Sequence, residues 1–102
     1  MLHVLAIITA KPGMRERFLE LHQANVEAVR NEAGCLEYEA VVDVPDAGAG
    51  FAHFGADSFV VVEKWASMEA LQAHGVAPHM KIYASKVKDL TASRAIHVLQ
   101  AV

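Results

Sequence analysis

Side chains that can move protons or contact an aromatic ring are concentrated in residues 63–83, which read EKWASMEALQAHGVAPHMKIY. They are Trp65, His74, His79 and Tyr83. Neither a glycine-rich phosphate loop nor an obvious serine or cysteine nucleophile accompanies them. The chemistry available to such a set is acid–base catalysis by imidazole, together with stacking and hydrogen bonding by the larger rings.

The two histidines are separated by Gly75 and Pro78, which predict a break between two helices. The C-terminal end of a helix favours an imidazolium, whereas the N-terminal end favours a neutral imidazole. His74 and His79 could therefore differ in protonation, which is typical of divided acid and base roles, and we favour His79 as the base. Alternatively, both histidines only cap helix ends at the surface.

Three further side chains have a structural and a functional interpretation. Trp65 is either a core residue or a flat wall for an aromatic substrate. Tyr83 shares a predicted helix face with His79, and it either closes the core or donates to a substrate oxygen. Asn25 interrupts the apolar stripe of a predicted helix, so its amide needs a buried partner, which is either backbone or a substrate or reduced-oxygen atom.

Glu63 has the same strand parity as Trp65, so it faces either the interior or the rim. An interior Glu63 would pair with an imidazole and raise its basicity. His22 could point inward beside Asn25, but we expect it to be exposed. A metal held by His74 and His79 would need a third ligand, which His53 or Glu63 could offer. Because no dense cluster of ligands supports such a site, we expect no bound metal.

The composition bounds the class of protein. A chain of 102 residues favours a single domain over residues 1–102. Because 54% of the residues are hydrophobic, which exceeds what a single small core needs, we expect a homodimer to bury the excess.

The net charge is −3 and no basic stripe occurs, which argues against nucleic-acid binding. No apolar run is long enough to span a membrane and no signal peptide is evident, so we expect a cytoplasmic protein. The one cysteine, Cys35, reads as a small buried hydrophobe.

Hydrophobic periodicity and turn residues predict the elements that must position these side chains. Strands are predicted at 2–10, 35–42, 58–65 and 93–101, and helices at 14–33, from Ser67 to about His74, and at 78–89. Gly34 is expected at the C′ position of the first helix. The order is βαββαβ, which is the α+β arrangement of a ferredoxin-like fold. Because the first and third strands are apolar on both faces, the sheet face without helices also needs cover.

Three stretches resemble a known family: EAGCLEYE (32–39), EKWASMEAL (63–71) and QAHGVAPHMKIY (72–83). Together they are similar to the antibiotic biosynthesis monooxygenase domain, and most similar to its small quinol monooxygenases. The resemblance implies a dimeric α+β barrel that oxidises a quinol-like dihydroxyaromatic with O₂ as co-substrate. The reaction implied is either oxygenation of the compound or its oxidation. The resemblance implies no metal, flavin or haem, because an electron-rich quinol anion can itself donate an electron to O₂.

On this hypothesis each subunit has one pocket between sheet and helices. Its catalytic residues would be His79, His74, Asn25, Trp65 and Tyr83, and its substrate-binding residues would be Phe18, Leu21, Phe59, Val61, Glu63 and Met80. Three alternatives stay open. The first is haem degradation, although related enzymes use an asparagine in the first strand and LHVLAIITA has none. The second is a non-oxidative enzyme, such as an isomerase of a small oxygenated signalling molecule. The third is a non-enzymatic dimer that binds a small molecule.

Overall fold

The computed structural model describes residues 1–102 and has the predicted βαββαβ order of a ferredoxin-like α+β fold. The strands are β1 (Leu2–Ala10), β2 (Cys35–Val41), β3 (Ser58–Trp65) and β4 (Thr91–Leu99). The helices are α1 (Arg15–Arg30), α2 (Met68–Gly75) and α3 (Pro78–Val87), and a short 3₁₀ turn, Lys88–Leu90, follows α3. The last strand thus begins two residues before the predicted 93–101.

The four strands form one open antiparallel sheet in the order β2-β3-β1-β4. In β1 every second residue from Val4 to Ala10 is buried, and this face packs under the helices. Ala6 pairs with Val61 of β3 on one side and with Ile96 of β4 on the other, so side chains of three strands form rows on that face. None of the helices is long and apolar enough to cross a membrane.

Helix α1 ends at Arg30, three residues before the predicted end. Its buried stripe consists of Phe18, His22, Val26 and Val29. The prediction that His22 is exposed was wrong, since only 1% of its surface is accessible. The spacing of four residues from Phe18 to His22 and from His22 to Val26 explains the burial, because such positions share one helix face.

Gly34 lies in the turn between α1 and β2, and not at the C′ position of the helix as predicted. Asn31 caps α1, and Gly34 follows with a left-handed φ of 83°. A β-carbon at Gly34 would lie 2.6 Å from the β-carbon of Ala70 on α2. The turn therefore approaches α2 more closely than any other residue type would allow.

Strand β2 contains a register shift between Cys35 and Glu37, because these two residues, with Leu36 between them, pair with the adjacent residues Trp65 and Lys64 of β3. Leu36 has no partner in the register and is 58% exposed. The extra residue is the signature of a β-bulge, which reverses the parity of the strand beyond it. Tyr38 consequently faces the interior, where it pairs with Glu63.

The helix ends around the break between α2 and α3 are those predicted. The Ser67 hydroxyl accepts a hydrogen bond from the Ala70 amide at 3.2 Å and caps α2. Pro78 occupies the first turn of α3, where its missing N–H leaves no intrahelical bond unmade. Only Val76 and Ala77 separate the two helices, so His74 and His79 are brought to the same end of the helix layer.

Replacement of Gly34 by alanine should destabilise the fold more than replacement of any other glycine tested with it. The left-handed φ alone costs a β-carbon about 1–2 kcal/mol, and the clash with Ala70 adds to that. Gly13→Ala is the matched control, because Gly13 has a φ of 76° but no atom within 4 Å of the added carbon. Urea unfolding of both variants measures the difference, and equal losses would show that the close approach to α2 contributes nothing.

Candidate active site

A cavity of about 880 Å³ lies between the helix layer and the sheet. Its buried wall comes mainly from α1, β1, β2 and β3, whereas Ala84 and Ser85 of α3 and Arg94 and Ile96 of β4 are exposed, so the cavity opens on that side. The lining is predominantly apolar, and its buried polar residues are His22, Tyr38, Glu63 and His74. An apolar cavity with a few polar groups is the usual form of a small-molecule site, and this volume is within the usual range.

The structure brings some of the predicted site residues to this cavity and leaves others outside its wall. Those that line it are Phe18, Val61, Glu63, His74, Met80 and Tyr83. Leu21, Asn25, Phe59, Trp65 and His79 do not line it. Phe59 is buried behind the wall, with its ring centroid 5.1 Å from that of Phe18.

The carboxylate of Glu32 joins the two predicted catalytic histidines. One of its oxygens lies 2.7 Å from Nδ1 of His74 and 3.3 Å from Nε2 of His79, although only the contact with His74 has hydrogen-bond geometry. Nδ1–H of His74 donates to the carboxylate, which leaves Nε2 of that ring as the proton acceptor. His74 lines the cavity and His79 does not, so the Glu32–His74 pair is the acid–base group at the wall.

Glu32 was not among the predicted site residues, and no local pattern indicates it. It lies in the turn after α1, and 42 positions separate it from His74 along the chain. The only indication in the sequence is its place beside Gly34, because the turn that needs this glycine also brings Glu32 to the end of α2.

Trp65 and Glu63 form a buried pair behind His74. The indole N–H of Trp65 donates to the Glu63 carboxylate at 2.9 Å, and the Trp65 and His74 rings lie 4.7 Å apart at 36°. Trp65 is fully buried and supports the histidine from the side away from the cavity. Glu63 does face the interior, but its partner is an indole and not the expected imidazole. Burial raises the pKa of Glu63, and the hydrogen bond from Trp65 opposes that rise.

His22 is a second cavity-lining imidazole, in an environment unlike that of His74. Its ring stacks on Tyr38 at a centroid distance of 5.3 Å and meets the edges of Phe59 and Tyr83. Burial among these rings, together with the smaller effect of the positive charge of Arg30, lowers the pKa of His22 to about 4. His22 is therefore neutral near pH 7, and its Nε2 has no hydrogen-bond partner in the protein.

Residues 1–86 match the family model described as antibiotic biosynthesis monooxygenase. The chain belongs to this family. It is 39% identical over 102 residues to the Escherichia coli (strain K12) protein named "Probable quinol monooxygenase YgiN", a match that covers 98% of this chain and 97% of the relative. Among solved structures, it is similar to PA3566 from Pseudomonas aeruginosa, with a TM-score of 0.82, 28% identity and coverage of 99% and 93% of the two chains. Rv0793 from Mycobacterium tuberculosis gives a TM-score of 0.80, 25% identity and coverage of 99% and 94%.

Two phenol groups in the cavity can donate hydrogen bonds to a ligand. Tyr38 and Tyr83 both line it, and burial raises the pKa of each phenol above its ordinary value. Both side chains therefore stay protonated near pH 7 and can donate hydrogen bonds. Tyr83 is also in edge contact with Phe18, at a centroid distance of 6.5 Å, which fixes its ring against α1.

Asn25 has a partner within the protein. Its amide Nδ2–H donates to the sulfur of Met80 at 3.3 Å, which links α1 to α3. Since a thioether is a weak acceptor, this bond contributes little energy, and the side chain is only half-buried. The expected contact of Asn25 with substrate or oxygen stays a prediction.

No group of three or more histidine, cysteine or acidic side chains is placed to hold one metal ion.

The buried His22 should make the fold less stable as the pH falls below about 6.5. Between its ordinary pKa of 6.5 and its folded pKa of about 4, the unfolded chain binds a proton that the folded protein does not. Folding stability is therefore fully present above pH 6.5 and falls by up to ~3 kcal/mol as the pH approaches 4. Urea unfolding at several pH values, on the wild type and on His22→Phe, measures this loss.

The variant should lose only the part of the pH dependence that His22 causes. The raised pKa of Glu63 acts in the opposite direction, because the folded protein then retains a proton above pH 4.5 that the unfolded chain releases. This contribution is present in both proteins and cancels in their difference. Identical pH profiles for the two proteins would mean that the His22 pKa is not lowered by burial.

Proposed function

We propose that the protein oxidises a quinol-like dihydroxyaromatic compound with O₂, without a metal or an organic cofactor. The observation that carries the proposal is the Glu32–His74 pair at the wall of an otherwise apolar cavity. A quinol needs only to lose a proton to become an anion that reduces O₂. The name of the Escherichia coli relative supports the substrate class.

The first step transfers a proton from a substrate hydroxyl to Nε2 of His74. The O–H bond breaks, an N–H bond forms and the electron pair stays on the substrate oxygen. The Glu32 carboxylate, 2.7 Å from Nδ1, offsets the positive charge that the imidazole gains. The substrate anion then donates an electron to O₂, which is the oxidant. This assigns the base to His74, and not to His79 as the helix-dipole argument favoured, because His79 lies outside the cavity wall.

The remaining lining residues orient the substrate ring and exclude water from it. Phe18, Val61 and Met80 offer apolar contacts, and Tyr83 offers a hydroxyl donor. A ring held in one orientation presents its hydroxyl to His74 for a larger fraction of the time, which lowers the entropic part of the barrier. Trp65 acts from behind the wall by packing against the His74 ring, and the hydrogen bond to Glu63 holds the indole in place.

A homodimer is part of the same proposal, because one sheet face has no helices over it. Leu5, Ile7 and Val62 alternate with the residues that face the cavity and are half-buried, so they form an apolar band on the opposite face. Large apolar patches of this kind mark interaction sites, and a second copy of the same face would complete a barrel.

Sedimentation at low micromolar concentration should therefore give a dimer. Replacing Ile7 by lysine, in the middle of the apolar band, should shift the protein towards monomer, because a charge would then be buried at the interface. Ile82→Lys, at an exposed position of α3, serves as the matched control. A wild-type monomer with a cooperative melting curve would contradict the dimer.

Oxygen-electrode screening of the chelator-treated protein against a panel of quinols tests the proposed activity. We expect quinol-dependent O₂ consumption that survives dialysis against the chelator, because the substrate itself supplies the electron. Loss of turnover on dialysis that one metal restores would contradict the mechanism. Absence of O₂ consumption with every quinol would contradict the proposed function itself.

Three variants then test the assignment of the base. His74→Ala should lower kcat by about 10²–10⁴-fold, which is the usual contribution of a positioned acid–base group. Glu32→Gln should lower kcat less, because it removes the charge but leaves the imidazole. His79→Ala is the matched control and should keep most of the activity, since His79 contacts Glu32 from outside the cavity. The reverse result, with His79→Ala inactive and His74→Ala active, would exchange the two assignments.

A further inference from the structure

The mechanism uses neither Tyr38 nor His22 among the buried polar side chains of the cavity, and of the two only His22 has a buried polar atom without a partner. It lines the wall, only 1% of its surface is accessible, and its Nε2 has no partner in the protein. Burial of an unpaired polar atom lowers the stability of the fold, so a purely structural role does not account for it. The apolar alternative at this position, a phenylalanine, would stack on Tyr38 without that cost.

We propose that His22 is a positioning residue that hydrogen-bonds the second hydroxyl of the substrate, the one remote from His74. The inference rests on the proposed function, since it deepens the recognition of a dihydroxyaromatic compound at the same site. Tyr38 provides the geometric link between the two imidazoles. The His22 ring stacks on it at 5.3 Å, and the His74 ring is in T-shaped contact with it at 5.7 Å, so the two histidines contact one aromatic ring in a single cavity wall.

The chemistry of a hydroxyl suits this imidazole. A neutral histidine has one ring nitrogen that donates and one that accepts, and a hydroxyl can pair with either because it does both. His22 stays neutral because it is enclosed by Tyr38, Phe59 and Tyr83 and faces the positive charge of Arg30. It is therefore a poor base beside His74, which has Glu32 to offset a proton. One imidazole binds a hydroxyl and the other removes a proton.

Anaerobic calorimetry separates binding from oxidation and tests the inference directly. The probes are para-hydroquinone and phenol, which differ by the second hydroxyl. We expect the wild type to bind hydroquinone about tenfold more tightly than phenol, which corresponds to one net hydrogen bond. In His22→Phe the preference should fall to about one, because the partner of the second hydroxyl is gone. In His22→Gln, which keeps a polar group, part of the preference should return.

A merely structural role of His22 would not change this ratio, because both probes would bind better or worse together. An unchanged preference in His22→Phe would therefore overturn the inference, and it would indicate a bound water as the only partner of Nε2. His22→Phe should fold, since it keeps the stacking on Tyr38 and removes an unpaired polar atom. If it does not fold, the same ratio measured on His22→Gln and on His22→Leu decides the question.

Failure of the inference and failure of the proposed function are distinguishable. If the wild type consumes O₂ with quinols but His22→Phe keeps its preference for hydroquinone, only the proposed role of His22 is contradicted. If His22→Phe loses the preference but the wild type consumes no O₂, the role of His22 in substrate recognition is supported and the proposed oxidation is contradicted. If the wild type binds neither probe nor any larger quinol, both are overturned.

Discussion

The contact between the Glu32 carboxylate and His74 is the interaction on which the rest of the site depends. It joins the turn after α1 to the end of α2, two places that are distant in the chain. Gly34 makes the approach possible, because its left-handed φ and missing β-carbon let the turn lie against Ala70. The Ala66 amide donates to the Gly34 carbonyl at 2.8 Å and fixes the turn to the end of β3. The position of the base is thus set by backbone packing on both sides of it.

Burial explains why two imidazoles in one cavity behave differently. His22 lies on the inner face of α1 among aromatic rings, with a positive charge nearby, so the neutral form is favoured. His74 lies at a helix end with a carboxylate on its Nδ1. In our proposal the divided roles therefore belong to His22 and His74, and not to His74 and His79. Helix ends supply small electrostatic effects, whereas direct contact with a carboxylate or complete desolvation supplies large ones.

The elements and their order could be predicted from the sequence because each has a local cause. Branched apolar residues on both parities predict a covered strand at β1, and Ser67 and Pro78 mark the beginnings of two helices. The bulge at Leu36 could not be predicted, because it depends on pairing with β3 and the alternating pattern of β2 gives no sign of it.

The site was less predictable than the fold, since it depends on contacts between distant segments. The lining by Phe18, Glu63, His74 and Tyr83 follows from parity and helix faces, which the sequence contains. Glu32 is a different case, because only tertiary packing brings it to His74. Trp65 has the expected strand parity, yet its large ring is drawn under His74 by the hydrogen bond to Glu63 and lies behind the cavity wall.

Desolvation favours the neutral form of several side chains of the inner wall. It lowers the pKa of His22 and raises those of Tyr38, Glu63 and Tyr83. These side chains give a substrate hydroxyl hydrogen-bond partners. The Glu32 carboxylate has a different environment, because its side chain is 15% exposed and keeps contact with solvent while it binds His74. Charge separation in the cavity is therefore least costly at His74, where the positive charge forms beside a carboxylate.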